Sequence, residues 1–301
     1  MKFSTFVSTL SLVSLPALVA AAPSKRDGIH TDIEILNFAL TLEHLENAFY
    51  SRGLEKFSEK HFRDAGFPEW VRGRYEQIAA HEKTHVEFLS NAIKAAGAQA
   101  VEPCDYSFPD TDVRSFVDIS YALESLGTSA YNGAAASIAD KAYLTVAASI
   151  LGVEARQSAW INSAVRMANP WNTAFETPLD MNQAFSIASS VINSCPASNP
   201  HLPVKPFPKL TVPVAKEGHR TKVIFDCPKE HEHKPLYAAW LTGTGTIFTP
   251  LKEKWETEVP NGLTGLVFVI ITTDGGKVSD DTTVAGVEMV QFPFDSHGRV
   301  Y

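Results

Sequence analysis

The sequence predicts a mainly α-helical fold, in which a helical bundle is followed by a small β-rich domain. Apolar residues recur at helical spacing from residue 31 to about residue 195, and capping residues mark the ends of each stretch. After a proline-rich segment, short runs of β-branched and aromatic residues alternate with glycine-containing turns. These observations divide the 301 residues into a helical and a β-rich part.

The N-terminus has the form of a secretory signal peptide. A basic residue precedes an uncharged apolar run that is too short for a membrane span, and three alanines follow it. We therefore predict a signal peptide over 1–22 and a short pro-segment over 23–26, which ends in the dibasic pair Lys25-Arg26. The alternative is that these two basic residues are simply solvated.

The charge of the mature chain excludes some classes of function. Removing residues 1–26, which hold three basic and no acidic groups, changes the formal net charge from −8 to −11. An acidic secreted protein is a poor candidate for binding nucleic acid or an anionic membrane. No later segment has the length and apolarity of a transmembrane helix.

Three cysteines in an oxidising compartment predict one disulfide and one remaining thiol. Cys104 and Cys195 both fall just outside predicted helices, and we predict that they are bonded to each other. Cys227, in a predicted β-rich run, is then expected to be a buried thiol.

Five helices are predicted within a bundle that covers residues 27–195. Aspartate is a favourable N-cap, proline is common in a first helical turn, and glycine often ends a helix. With these signals, the expected helices are Asp32 to about Gly53, Pro68 to Gly97, Asp110 or Asp112 to beyond Tyr131, about Asp140 to Met167, and a short fifth helix after Asp180.

The remaining residues predict a linker and a β domain. Residues 196–213 hold six prolines and lack a helical period, which is typical of an extended linker. Residues 214–301 contain four β-rich runs separated by turn signals, and we predict a small antiparallel sandwich or partial barrel. The runs are TKVIFDC, YAAWLTGTGTIFTP, GLVFVIITTD and VAGVEMVQFPF.

Two of the predicted helices repeat one pattern. The segments LEHLENAFY and LESLGTSAY share Leu-Glu-x-Leu and a final tyrosine, so Glu43 precedes Tyr50 as Glu124 precedes Tyr131. The helices that follow also correspond, with Glu-x-x-His at 82–85 and Glu-x-x-Gln at 154–157.

The four glutamates of this repeat lie on apolar stripes. The positions two turns before and after each glutamate are Leu36 and Tyr50 for Glu43, Tyr75 and Leu89 for Glu82, Val117 and Tyr131 for Glu124, and Ala147 and Ile161 for Glu154. Such stripes face the core of a bundle. Four inward carboxylates cannot all stay ionised unaided, because each buried charge costs several kcal/mol. Protonation or bound metal ions would resolve the conflict.

Glutamates from two helices and Glu-x-x-His from two others form the ligand set of ferritin-like di-iron and di-manganese bundles. We therefore predict two divalent ions, Fe or Mn, with Glu43 and Glu124 as terminal ligands, Glu82 and Glu154 as bridging ligands and His85 as the nitrogen ligand.

The second ion is expected to bind more weakly, because Gln157 stands where the symmetrical pattern has histidine. An amide oxygen is a weak ligand for a transition metal. Gln157 and Glu46 are the weaker ligand candidates, and Glu46 is expected to be a partly exposed helix residue. We assign Tyr50 and Tyr131 either to the plain aromatic core or to the residues that surround the ligands.

The chain resembles the secreted ferritin-like proteins of fungi, which are often labelled stress-response, desiccation-related or late-sexual-development proteins. The segments that carry the resemblance are LNFALTLEHLENAFY, HEKTHVEFL, SYALESLGTSAY and YLTVAASILGVEARQSAW. The resemblance covers residues 32–195 and continues into the proline-rich segment. It implies a ferritin-like four-helix bundle with a short fifth helix.

Two hypotheses about function follow. The first is a secreted di-metal carboxylate protein that oxidises Fe(II) or handles peroxide in stress or development. The second is a non-enzymatic extracellular or cell-wall protein with a degenerate metal site, in which the β domain contacts the cell wall or the extracellular matrix. An appended β domain would obstruct a closed storage shell, and the oligomeric state is left open.

Overall fold

Six α-helices form the first part of the computed structural model, which describes residues 30–301. They are α1 Asp32–Lys56, α2 Glu59–Asp64, α3 Trp70–Ala95, α4 Val113–Ala134, α5 Lys141–Trp160 and α6 Met181–Ala188. The four long helices pack as two pairs, α1 with α3 and α4 with α5. The predicted bundle with a short additional helix is confirmed, whereas the predicted signal peptide and pro-segment lie outside the described residues. None of the helices from residue 30 onward is both long and apolar enough to cross a membrane.

Helix α1 begins at Asp32 as predicted, but its N-cap is a different residue. Thr31 is its N-cap and forms a capping box with Glu34, in which each side chain accepts a hydrogen bond from the other residue's backbone N–H. Asp32, the predicted cap, instead accepts hydrogen bonds from the backbone N–H groups of Ala139 and Asp140, each at 2.8 Å. The start of α1 is thereby held against the start of α5.

The aspartates predicted to cap the later helices are N-caps in the structure. Asp112, Asp140 and Asp180 each accept a backbone hydrogen bond from the first turn of α4, α5 and α6. Helix α5 differs at its far end, because a π-helical turn, Ile161–Val165, replaces the last predicted α-helical turns. The short helix α2 was not predicted, since Phe62 is its single buried residue and provides no apolar period.

A disulfide joins Cys104 to Cys195, whose Cα atoms lie 4.2 Å apart across 91 residues of sequence. Beside it, strand β1 Asp105–Tyr106 pairs antiparallel with strand β2 Ile192–Ser194. Both connections hold the crossover between α3 and α4 against the chain that follows α6. Cys227 is a free thiol, but it is half-buried in a loop rather than buried in a strand.

The remaining strands confirm a C-terminal region of small antiparallel sheets. They are β3 Leu210–Thr211, β4 Arg220–Lys222, β5 Ile224–Phe225, β6 Tyr237–Thr242, β7 Gly245–Pro250, β8 Glu256–Glu258, β9 Gly265–Thr272 and β10 Thr283–Phe292. The largest sheet has four strands in the order β10-β9-β6-β7, and β3–β5 and β4–β8 form two-stranded sheets.

Strand β9 is buried along its whole length because its two faces meet two different hydrophobic cores. Side chains of a strand point alternately to opposite faces of the sheet. Leu266, Phe268 and Ile270 accordingly belong to the core of the helical bundle. The alternate residues Val267, Val269 and Ile271 belong to the smaller core of the β-rich part. The four-stranded sheet therefore packs directly on the bundle.

The proline-rich segment before β3 also contacts the bundle. Leu202 and Val204 are partly buried against its core. The backbone N–H of Lys205 donates to Asn182 Oδ1 at 2.7 Å, and that of Phe207 donates to Ser186 Oγ at 2.8 Å. Side chains of α6 therefore hold this part of the segment in place.

Candidate metal centre

Four fully buried glutamates approach one another inside the bundle, one from each long helix. They are Glu43 on α1, Glu82 on α3, Glu124 on α4 and Glu154 on α5, and each is 0% exposed. Ligand atoms of Glu43, Glu82, Glu154 and the nearby His85 all lie within 4.8 Å of one another. That spacing suits a set of side chains surrounding one metal ion.

His85 is the nitrogen-bearing member of this set. Its Nδ1 atom lies 3.1 Å from Glu43 Oε2, 3.0 Å from Glu82 Oε2 and 3.8 Å from Glu154 Oε1. Burial opposes protonation of the imidazole, but the hydrogen bonds with Glu43 and Glu82 outweigh it and raise the pKa of His85 to about 10. In the metal-free chain, a protonated His85 therefore occupies the position of a cation among the carboxylates.

Two tyrosines link the halves of the repeat reciprocally. Tyr50 of α1 donates a hydrogen bond to Glu124 Oε1 of α4, and Tyr131 of α4 donates to Glu43 Oε1 of α1 at 2.5 Å. Both tyrosines are buried. Each hydroxyl orients one oxygen of a glutamate that belongs to the opposite helix pair, so both residues lie in the layer around the carboxylates.

Gln157 occupies the position that corresponds to His85 in the repeat. It is 6% exposed, and its Nε2 donates a hydrogen bond to Glu82 Oε1 at 2.8 Å. Glu82 thus has a partner for each oxygen, because Oε2 already faces His85. Among the residues that the structure describes, the amide oxygen of Gln157 has no hydrogen-bond partner.

Four buried oxygens of this cluster lack a hydrogen-bond partner within residues 30–301: Glu124 Oε2, Glu154 Oε1, Glu154 Oε2 and Gln157 Oε1. Buried polar atoms are normally paired, because leaving one unpaired costs free energy. A cation that accepts several oxygen ligands would satisfy them together. Carboxylate oxygens with one imidazole suit iron or manganese, so the residues present fit a metal site.

The prediction that Glu46 is partly exposed was wrong. Its side chain is 2% exposed and lies beside the other carboxylates. Gly127 of α4 makes the space. A Cβ at position 127 would lie 2.5 Å from Glu154 Oε2 and 3.2 Å from Glu46 Oε1. In the repeat, Gly127 is the position equivalent to Glu46. One half therefore carries an extra carboxylate where the other half has no side chain.

The electrostatics of the metal-free cluster favour proton uptake. Burial raises the pKa of Glu43 to about 7, although hydrogen bonds from His85 and Tyr131 work against it. Burial and then neighbouring carboxylates hold the pKa of three others well above the ordinary value: Glu46, Glu124 and Glu154. In the described part of the chain, Lys and Arg form no ion pair with these carboxylates.

Sequence reasoning brought the correct helices together and named Glu46 as a weaker ligand candidate, but it did not predict how the cluster accommodates this residue. The structure places the ligand candidates Glu43, Glu82, His85 and Glu154 in one group and Glu124 beside them. The burial of Glu46 and the role of Gly127 were missed. The internal repeat offered a signal for both, because aligning LEHLE with LESLG sets a glutamate against a glycine on facing core helices.

Comparison with known proteins gives the same assignment of the helical part. Residues 31–167 match a sequence family described as a ferritin-like domain. Protein rds1 of Schizosaccharomyces pombe is 28% identical over an alignment that covers 73% of this chain. The alignment spans 65% of the length of that relative. Together, these similarities support a relation to ferritin-like proteins of fungi.

Proposed function

We propose that the ferritin-like domain of this protein binds two divalent metal ions, Fe or Mn, and supports oxidation chemistry at its buried carboxylate cluster. The observation that carries the proposal is the group of unpartnered buried oxygens on Glu124, Glu154 and Gln157. In a core without cations, only proton uptake by the carboxylates could satisfy these atoms, and unpaired buried polar groups are rarely retained without a function.

The first ion would be held by Glu43, Glu82, His85 and Glu154, whose ligand atoms already lie within 4.8 Å of one another. This set combines several carboxylate oxygens with one imidazole nitrogen. Glu82 and Glu154 would be shared with the second ion, because they come from the Glu-x-x-His and Glu-x-x-Gln helices. Removing either one would therefore affect both ions.

The second ion would be held by Glu124 and the shared glutamates, with Gln157 Oε1 and Glu46 as further oxygen donors. This half offers no imidazole, and a neutral amide is a weaker ligand for a transition metal. Glu46 partly compensates for that loss, because the space above Gly127 lets its carboxylate approach Glu154. We expect the second ion to bind more weakly than the first.

Bound iron or manganese would supply one-electron redox chemistry with dioxygen or peroxide, and Fe(II) is a second candidate substrate. The residues of the chain hold protons and exclude water. His85 and Tyr131 hydrogen-bond Glu43, and Tyr50 hydrogen-bonds Glu124. Aromatic rings, including those of Phe49 and Tyr75, are fully buried in the same core.

Secretion and a role in stress or development are part of the proposal. The features that support secretion are the N-terminal sequence and the Cys104–Cys195 disulfide. An extracellular protein that consumes Fe(II) or peroxide would limit oxidative damage at the cell surface.

Metal analysis of protein purified without added metal tests the binding proposal. Wild type should contain Fe or Mn, or rebind Fe(II) and Mn(II) with a second, weaker step. Glu82→Ala should lose both ions, because it removes a shared ligand. Glu87→Ala is the matched control, since Glu87 lies on the same helix and is exposed beside Lys83. Metal-free wild type that does not rebind either ion would contradict the proposal.

The second candidate function is a non-enzymatic binding role in the extracellular matrix or cell wall. The observation that favours it is a pair of exposed aromatic side chains, Trp171 and Phe175, in the loop between α5 and α6. That loop contacts the sheet, because the backbone N–H of Leu266 donates to Asn172 Oδ1 at 2.7 Å. Wild type that binds insoluble cell-wall polysaccharide without containing or rebinding metal would favour this role.

A further inference from the structure

Four aromatic side chains form a continuous series from the carboxylate cluster to the surface. In order they are Tyr50, Tyr75, Trp160 and Trp70. Successive ring centroids lie 6.2 Å, 5.3 Å and 6.1 Å apart. The inner end touches the cluster through the hydrogen bond from Tyr50 to Glu124. At the outer end, Trp70 is 50% exposed.

The series crosses the bundle because of where its members lie on the helices. Trp70 begins α3, and Tyr75 lies on the buried stripe of the same helix. Trp160 ends α5 and packs between them, partly buried. Tyr75 is fully buried, with its hydroxyl 3.1 Å from Ser120 Oγ.

Each member of the series is a phenol or an indole, the side chains that lose single electrons most readily. Phe116 also contacts Tyr75 and Tyr50, with centroid distances of 5.1 Å and 6.2 Å. Its phenyl ring is much harder to oxidise, so Phe116 contributes to packing but does not carry electrons. Because electron transfer weakens steeply with distance, rings in contact exchange electrons far faster than rings separated by aliphatic side chains.

We propose that Trp70, Trp160, Tyr75 and Tyr50 carry single electrons from donors in solution to the buried carboxylate cluster. The use of this path in peroxide reduction rests on the function proposed above. The path itself is a property of the chain and does not depend on bound metal.

The redox step balances as follows. Tyr50 gives one electron and its phenolic proton to the peroxide at the cluster. An electron from a phenolic donor in solution then travels through Trp70, Trp160 and Tyr75 and restores Tyr50, and the proton that the donor releases replaces the one that Tyr50 gave up. Two phenols and one hydrogen peroxide give two phenoxyl radicals and two water molecules.

The energetics predict where an oxidised site comes to rest in the metal-free protein. At neutral pH a tryptophan radical oxidises tyrosine, because a phenol that releases its proton is the better electron donor. Both tyrosines of the series have a hydrogen-bonding oxygen in contact with the hydroxyl, Ser120 Oγ for Tyr75 and Glu124 Oε1 for Tyr50. Oxidation that begins at exposed Trp70 should therefore move inward to tyrosine.

Pulse radiolysis of the metal-free full chain, with the azide radical as oxidant, tests this transfer. In wild type, tryptophan-radical absorbance should decay into tyrosyl-radical absorbance at a rate independent of protein concentration. Trp70→Phe, Trp160→Phe and Tyr75→Phe should each lose that conversion. Trp171→Phe is the matched control, because Trp171 is 63% exposed and lies outside the series.

A second control separates electron transfer from packing. Tyr75→Phe keeps the ring but also removes the contact with Ser120. Ser120→Ala removes the same contact and leaves the phenol in place, so it should transfer electrons like wild type. No conversion in wild type, or an unchanged rate in Tyr75→Phe, would overturn the proposed path.

Metal-loaded protein treated with peroxide and no donor tests the link to the proposed function. Peptide mass spectrometry should find oxidation products at Trp70, because an oxidised site that visits this exposed indole reacts irreversibly with solvent species. Tyr75→Phe should remove the products at Trp70 and leave those at Tyr50. If radiolysis shows the path but peroxide leaves no oxidation along it, the proposed peroxide chemistry fails and the path stands.

Discussion

Gln157 Nε2 donates a hydrogen bond to Glu82 Oε1 at 2.8 Å, at the position where the repeat predicts a second histidine. His85, its counterpart, contacts both Glu82 and Glu43. The repeat therefore forms a cluster whose halves differ in donor chemistry, and this difference can be measured.

Replacing Gln157 with histidine should strengthen the second metal-binding step. An imidazole supplies the nitrogen donor that this half lacks, and a ligand worth about 1.4 kcal/mol raises affinity about tenfold. Calorimetric titration of Mn(II) into wild type and Gln157→His measures the change. Two equal steps in wild type would show that the halves do not differ.

Gly127→Ala should weaken metal binding. The added Cβ would lie 2.5 Å from Glu154 Oε2, so that the carboxylate must turn away. Gly152→Ala is the matched control, because Gly152 lies in α5 with open space around its Cβ position. That control should keep its metal and gain up to ~1 kcal/mol from helix propensity. Equal metal affinity in both variants would contradict the crowding at position 127.

The stability of the metal-free protein should fall as pH rises from about 4.5 to 7. The folded-state pKa of Glu43 is raised to about 7, so its contribution is fully present below about 4.5 and is lost as pH rises through 7. The raised pKa of His85 adds a second contribution, which is present below 6.5 and lost as pH rises through about 10.

Urea denaturation of chelator-treated protein at several pH values measures this dependence. Metal-loaded protein should respond in the opposite direction below pH 7, because protons displace metal from carboxylates and imidazole. Glu43→Gln removes one titrating group and should flatten the metal-free curve between pH 4.5 and 7. A metal-free curve that rises over this range in wild type, and to the same extent in the variant, would contradict the assignment.

Removing the disulfide should destabilise the fold by about 4 to 5 kcal/mol in the chain-entropy model, because it closes a loop of roughly 90 residues. The double variant Cys104→Ser/Cys195→Ser should show this loss in equilibrium urea denaturation. Cys227→Ser is the control and should change stability little, since Cys227 is a half-buried free thiol. If both variants lost a similar amount of unfolding free energy, the disulfide would not stabilise the crossover between α3 and α4.

The helices and the inward glutamates could be predicted from sequence because both depend on spacing within one helix. The seven-residue steps around Glu43 and Glu124 are visible without knowing the partner helix. The environment of Glu46 depends on the missing side chain at Gly127, which lies on another helix. Likewise, Thr31 and not Asp32 caps α1, because the two residues just before α5 offer Asp32 their backbone N–H groups. Tertiary contacts determine these two features, and the sequence pattern within a single helix gives no information about them.

Strand β9 contributes alternate side chains to two hydrophobic cores, and this sharing couples the unfolding of the bundle to that of the sheet. Separating the helical part from the β-rich part would expose Phe268 and Ile270 together with the bundle residues that they contact. Neither part can lose its order while the other keeps a complete interior. Heating should therefore melt the bundle and the sheet in a single cooperative transition.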